Sequence, residues 1–143
     1  MYPLNTLWKP FQKAFESLNG EAVNALYADE VLRVTPAGID TEEKFKDGNL
    51  QRFTTYRKDN LKMNLDFWLD DRKTSESHSY EVGFYRVMFV LPSGQIDTFY
   101  GQFHIVLEKI DGVWKITQDW DTATIAGKPI TAEDFERHPP LRF

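Results

Sequence analysis

From Leu61 onward the hydrophobic period of this chain is two. Leu61, Met63, Leu65, Phe67 and Leu69 alternate with Lys62, Asn64, Asp66, Trp68 and Asp70, the pattern of a strand with one face buried and the other wet. Three more such runs follow, at about 79–91, 95–109 and 113–122, joined by Pro92-Ser93-Gly94 and by Asp111-Gly112. Asp-Gly between alternating runs is a strong hairpin signal, because both residues tolerate the positive φ of a two-residue turn. The second half of the chain therefore reads as an antiparallel meander.

The first part has a different period. Leu4, Leu7, Trp8, Phe11, Phe15 and Leu18 recur at steps of three and four, the stripe of one buried helix face. Pro10 falls inside that stripe, so the helix is either kinked there or begins near Lys9. Asn19-Gly20 stops it. Residues 21–27 carry Val23, Leu26 and Tyr27 on one side and read as a second, short helix. Residues 31–35 alternate and are β-branched, a short strand closed by Pro36-Ala37-Gly38. Thr41 before Glu42 and Glu43 opens a third helix, carrying Phe45, Leu50, Phe53 and Tyr56 and weakened by Gly48. Helices first and meander afterwards make an α+β layer fold, not a parallel α/β one. We read 1–122 as one domain and 123–143 as its C-terminal extension, in which Thr131-x-x-Asp134 resembles a capping box before Pro139-Pro140.

Composition excludes several function classes. Seventeen Lys and Arg against 22 Asp and Glu give a net charge of −5, which offers no electrostatic footprint for nucleic acid. There is no cysteine, hence no thiol nucleophile. No segment approaches the roughly 20 apolar residues that cross a bilayer, and no leader pattern opens the sequence, so a soluble cytoplasmic chain is expected, although a trimmed export signal would look the same. GxSxG, P-loop, GxGxxG and HExxH patterns are missing. His78 and His138 lie in a turn and the tail with no partner at metal-ligand spacing, so neither metal nor cofactor is expected.

The turns dictate which side chains share a face. If Ile110 faces Val113, one face collects Leu107 with Ile116, Ile105 with Gln118 and Phe103 with Trp120. The other collects Glu108 with Lys115, His104 with Asp119 and Gln102 with Asp121. If Leu91 faces Ile96, then Val82, Phe84, Arg86 and Met88 join the apolar face, with Arg86 beside Gly101. An arginine there needs an anion, since burying an unpaired cation costs several kcal/mol, in order of magnitude. Arg86 is thus either a snorkelling or helix-bridging cation, or the group that orients a carboxylate or carbonyl ligand. His104 opposite Asp119 is a possible proton-transfer pair or an ordinary surface pair, and Asp121 shares that side.

The element order, the Leu18-Asn19-Gly20 stop, the Leu26-Tyr27-Ala28-Asp29-Glu30 run before a strand ending in Pro36-Ala37-Gly38, and the Asp111-Gly112-Val113-Trp114-Lys115-Ile116 hairpin together resemble the NTF2-like superfamily. That group includes SnoaL-like polyketide cyclases, ketosteroid isomerases and DUF4440 domains. The resemblance extends to about Thr122. It implies a cystatin-like cone, with helices in the concave face of a curved antiparallel sheet, a pocket at the open end and a homodimer through the sheet. In the isomerase branch a helix tyrosine, an aspartate before the strand-ending proline and a late-strand aspartic acid move the proton. Here those positions hold Ala14, Thr35 and Ile105 or Val106, so that constellation is absent.

The expected pocket is lined by Arg33, Thr35, Arg86, Phe103, Gln118, Trp120, Phe11, Phe15, Tyr27 and Tyr56, an apolar chamber with a few polar groups. Three readings follow. The first is a module that binds a small apolar ligand bearing a carboxylate or carbonyl. The second is a cyclase-, isomerase- or lyase-like enzyme using His104 with Asp119, or Asp121, which requires those groups to face the cavity. The third is a dimerisation module working through Tyr85, Tyr100 and Gln102.

Overall fold

The computed structural model describes residues 5–141, and the side chains from Leu7 onward. Leu4 of the first stripe lies outside the described residues. Helix α1 (Asn5–Glu16) is continuous across Pro10, so it does not begin near Lys9, and it buries Leu7, Trp8, Phe11 and Ala14. Asn19 caps α2 (Gly20–Asn24) by accepting from the Ala22 amide. That helix is shorter than expected, because strand β1 (Tyr27–Thr35) already begins at Tyr27. The turn at Pro36-Ala37 then returns the chain as β2 (Gly38–Thr41), a strand the sequence reading takes for a turn. Helix α3 (Glu42–Lys58) is continuous across Gly48 and buries Phe45, Asn49 and Phe53.

The four long strands are β3 (Lys62–Thr74), β4 (His78–Val90), β5 (Ile96–Ile110) and β6 (Val113–Thr122). With β1 and β2 they form one sheet in the order β2-β1-β6-β5-β4-β3. The sheet is antiparallel from β6 to β3, but β1 lies parallel to β6, so it is mixed rather than wholly antiparallel. The helices pack on its inner face over a core that includes Trp8, Phe11, Phe53, Phe67, Phe103 and Leu107. No helix among the described residues is long and apolar enough to cross a membrane.

Two register corrections decide what this core contains. The Asp111-Gly112 turn pairs Ile110 with Val113 and Leu107 with Ile116 as expected. A β-bulge at Thr117 then adds one residue to β6, and the pairing becomes Ile105 with Asp119, His104 with Trp120 and Phe103 with Asp121. The Thr117 hydroxyl donates to the Val106 carbonyl at 3.2 Å within the bulge. Because side chains alternate, one inserted residue exchanges the faces of everything after it.

The second correction arises at Pro92. Gly94, at φ 90°, closes a three-residue loop in which its amide donates to the Leu91 carbonyl and the Leu91 amide to that of Gln95. This is the turn-plus-glycine geometry of a three-residue hairpin, and it pairs Val90, not Leu91, with Ile96. Glu81, Gly83, Tyr85, Val87 and Phe89 consequently share the inner side of β4, while Val82, Phe84, Arg86 and Met88 face outward.

The outer face of β3 and β4 is covered by the end of the chain itself. A small hairpin, β7 (Thr124–Ile125) with β8 (Lys128–Pro129), leads into α4 (Ala132–Phe135), whose start carries the complete Thr131–Asp134 capping box. Ile130 and Phe135 complete a second core with Trp68 and Phe84. The Trp68 indole donates to the Phe135 carbonyl at 2.7 Å, and the Leu141 amide to that of Phe67 at 2.8 Å.

Candidate functional site

The helices do not fill the cone. A cavity of about 250 Å³ remains, walled by Trp8, Phe11 and Phe15 of α1, by Phe45, Phe53 and Tyr56 of α3, and by Met63, Leu65, Phe67, Phe89, Phe99 and Phe103 of the sheet. Its polar groups are concentrated on the wall formed by β1, β6 and β4. Arg33 stands beside Asp119 in the parallel β1–β6 pairing. Its two terminal nitrogens reach both strand-β6 acids, Asp119 Oδ1 at 2.8 Å and Asp121 Oδ2 at 3.0 Å. The remaining carboxylate oxygens accept from tyrosines: Tyr27 donates to Asp119 Oδ2 at 2.8 Å, and Tyr85 to Asp121 Oδ1 at 2.7 Å. The result is a continuous Tyr27–Asp119–Arg33–Asp121–Tyr85 chain of hydrogen bonds.

Tyr85 reaches Asp121 only because its cross-strand partner is Gly101. A Cβ there would lie 2.2 Å from the tyrosine hydroxyl, so any other residue would displace the ring. A glycine inside a strand commonly marks such a close approach.

Burial sets the electrostatics of this wall. Tyr27 is raised well above its ordinary pKa by burial and then by the adjacent Asp119 charge. Tyr85 is raised for the same reasons, with Asp121 as the neighbour. Burial also lifts Asp121 above the usual carboxylate range, with Arg33 acting in the opposite direction. For Arg33, burial opposes the charge, but Asp119, Tyr27 and Asp121 outweigh it and fix the guanidinium in its charged form. On this wall two carboxyl groups stand against one arginine, and Arg52 of α3 is the cavity's other lining cation.

At the mouth, exposed Arg52 lies over the Phe53 ring at 5.3 Å and donates to Asn49 Oδ1 at 2.5 Å. Away from the mouth, fully buried Glu81 accepts from the Trp8 indole at 3.0 Å and is ion-paired with Arg72. Burial raises its pKa, with Arg72 opposing.

The structure brings together Phe11, Phe15, Tyr27, Arg33, Tyr56 and Phe103 of the expected lining, and adds Asp119 and Asp121. The bulge at Thr117 removes Gln118 and Trp120 from it. Both lie on the outer side of β6, where Trp120 is 46% exposed. Thr35 is beyond the cavity and accepts from the Ala37 amide. Arg86 is on the outer face, bonded to Asp66 at 2.6 Å with its guanidinium 4.9 Å from the Phe135 ring centre. His104 also points outward, bonded through Nδ1 to the Tyr80 hydroxyl at 2.6 Å, so it does not meet Asp119.

The sequence reading missed Tyr85, Phe45, Asn49, Arg52 and Trp8 as lining residues. The strand glycine Gly101 was the signal available for Tyr85, and the expected register assigned it to Arg86 instead. Among the described residues no His, Asp and Glu cluster is arranged to hold a metal ion.

No family model and no curated protein matches the chain by sequence. Solved structures do match it in shape. An NTF-2 like protein of unknown function from Shewanella oneidensis superposes with a TM-score of 0.65 at 21% identity, over 83% of this chain and 95% of that one. A ketosteroid isomerase-like protein from Erwinia carotovora atroseptica gives 0.64 at 15%, over 83% and 92%. A domain of unknown function with a cystatin-like fold from Nostoc punctiforme gives 0.67 at 18%, over 87% and 76%. Helices inside a curved six-stranded sheet, the meander order and these superpositions lead to one conclusion: the chain has the NTF2-like, cystatin-like cone fold.

Proposed function

We propose that the chain binds a small, largely apolar molecule in the cone, its body among the aromatic rings and its polar end at the Tyr27–Asp119–Arg33–Asp121–Tyr85 chain. The observation that carries this reading is the segregation within the cavity, with apolar walls nearly all round and every strongly polar group of the sheet gathered at one place. Such a chamber with a few convergent polar groups is the usual form of a small-molecule site. The likeness to a ketosteroid isomerase-like structure supports it. The test is a screen by protein-observed NMR of fragments of about eight to twelve non-hydrogen atoms, matched to a cavity with the volume of roughly eight waters. Hits should shift the signals of Phe11, Tyr27 and Phe103 together; a screen in which no fragment perturbs them removes the proposal.

A second reading rests on Asp121, an acid raised in pKa inside an aromatic chamber and adjoined by two tyrosine hydroxyls. That combination suits general acid–base chemistry on a bound substrate. In this reading Asp121, not His104, exchanges the proton, and Asp121→Asn abolishes any turnover found; retained turnover excludes it. The homodimer through the sheet is proposed on the outer side of β4 to β6, where Tyr80 and Trp120 are exposed, and not through Tyr85, which lines the cavity. A monomeric mass at micromolar concentration in ultracentrifugation would remove that.

A further inference from the structure

We infer that the ligand of this cavity is a small organic cation, an ammonium carried on an aromatic or aliphatic body. The inference rests on the binding reading above and concerns only the charge of what is bound. The charged groups lining the cavity are Arg33, Arg52, Asp119 and Asp121. Arg33 is bracketed by the two aspartates at 2.8 and 3.0 Å, so a further anion brought to it would be the third beside one guanidinium. Arg86, the other cation expected to attract a carboxylate, is on the far side of the sheet with Asp66. Arg52 is exposed and comes from α3, where it is engaged with Asn49 and the Phe53 ring; its charge reaches Tyr27, but it makes no ion pair with either aspartate.

Hydrogen bonding points the same way. Both tyrosine hydrogens are committed to carboxylates, which leaves oxygen lone pairs as the main unspent capacity of Tyr27, Tyr85, Asp119 and Asp121. An incoming group that donates is satisfied there, and one that also carries positive charge neutralises the surplus. The aromatic lining suits the same ligand, because ring faces attract a cation through their quadrupoles, as Phe45 and Phe53 already do for Arg33 and Arg52. One surplus carboxylate charge in a partly desolvated site strengthens a charged hydrogen bond beyond a neutral one.

The test compares three probes of one shape: phenethylamine, 2-phenylethanol and phenylacetate, titrated into the full chain at neutral pH and low salt by calorimetry or ligand-observed NMR. The amine should bind about tenfold more tightly than the alcohol, as expected for one charged hydrogen bond, and phenylacetate should bind most weakly. Equal or tighter binding of the alcohol or phenylacetate overturns the cation assignment while leaving the binding reading in place. Binding of none of the three overturns both. Asp121→Asn, which removes the surplus charge, should reduce the amine-to-alcohol ratio to near one, and Asp119→Asn provides the same check should the first variant fold poorly. An unchanged ratio in a folded variant overturns the assignment.

Discussion

The two faces of the sheet each hold an arginine among aromatic rings and carboxylates, and they use it differently. On the inner face Arg33 serves two acids and adjoins an open cavity. On the outer face Arg86 is bonded to one, Asp66, and lies under Phe135 of the C-terminal segment. The outer site is covered by the chain itself, with Arg137 also laid over Trp68 and Phe84, so Arg86 acts as part of a seal. The inner site has a surplus acid and room beside it. A buried ion pair is thus not by itself a sign of function; stoichiometry and free volume separate the two.

Three experiments separate the faces, in decreasing order of expected effect. Phe135→Ala empties the centre of the outer core, where the ring is 1% exposed, and should cost about 3–5 kcal/mol in urea unfolding while fragment binding in the cone is retained. A loss below about 1 kcal/mol would mean that the C-terminal segment is not an integral layer. Next, Arg33→Met should cost about 3 kcal/mol because it leaves two acids facing each other, whereas Arg86→Met should cost about 1 kcal/mol, since Asp66 is partly exposed and methionine still packs on Phe135. Equal losses would erase the proposed distinction.

The smallest effect is in pH dependence. Burial raises both Asp121 and Glu81 above the ordinary carboxylate range, so the folded chain holds these protons more tightly than the unfolded one. Their contribution is most favourable in acid and is lost as pH rises from about 4, the unfolded value, through the higher folded values. Asp121→Asn should therefore flatten the decline of stability between pH 4 and 7, measured by urea unfolding in steps of pH. An unchanged slope would show that the inner acid carries no such cost.

The meander strands and the helix stripes were legible because each is a local pattern: Leu61 to Leu69 alternates whatever lies beside it, and Trp8, Phe11 and Phe15 line one helix face, whereas β2 and the parallel placing of β1 beside β6 are not local and were not read. The Asp111-Gly112 turn was legible too, and its pairing holds as far as Leu107 with Ile116. What fails beyond that point fails for a physical reason. The bulge at Thr117 forms where β6 must satisfy β5 on one side and parallel β1 on the other, a condition that no window of β6 alone contains. The same holds at Pro92, where a loop one residue shorter than expected transfers Arg86 to the outer face and Tyr85 to the inner. The site was therefore half visible, with Phe11, Phe15, Tyr27, Tyr56, Phe103 and Arg33 on the cavity wall as expected, Trp120 and both acids turned the wrong way, and Tyr85 missed.

The extra residue at Thr117 also bears on how such an interior can change over time. Pairing Thr117 instead of bulging it would turn an amide and an indole into the hollow and send both aspartates to solvent, whereas deleting it would leave Asp119 opposite Ile105 and Asp121 opposite Phe103. An ionic chamber and a greasy one are separated on this scaffold by whether one residue of β6 is bulged out or paired, so relatives with almost the same outline can diverge in what they hold with hardly any change in composition.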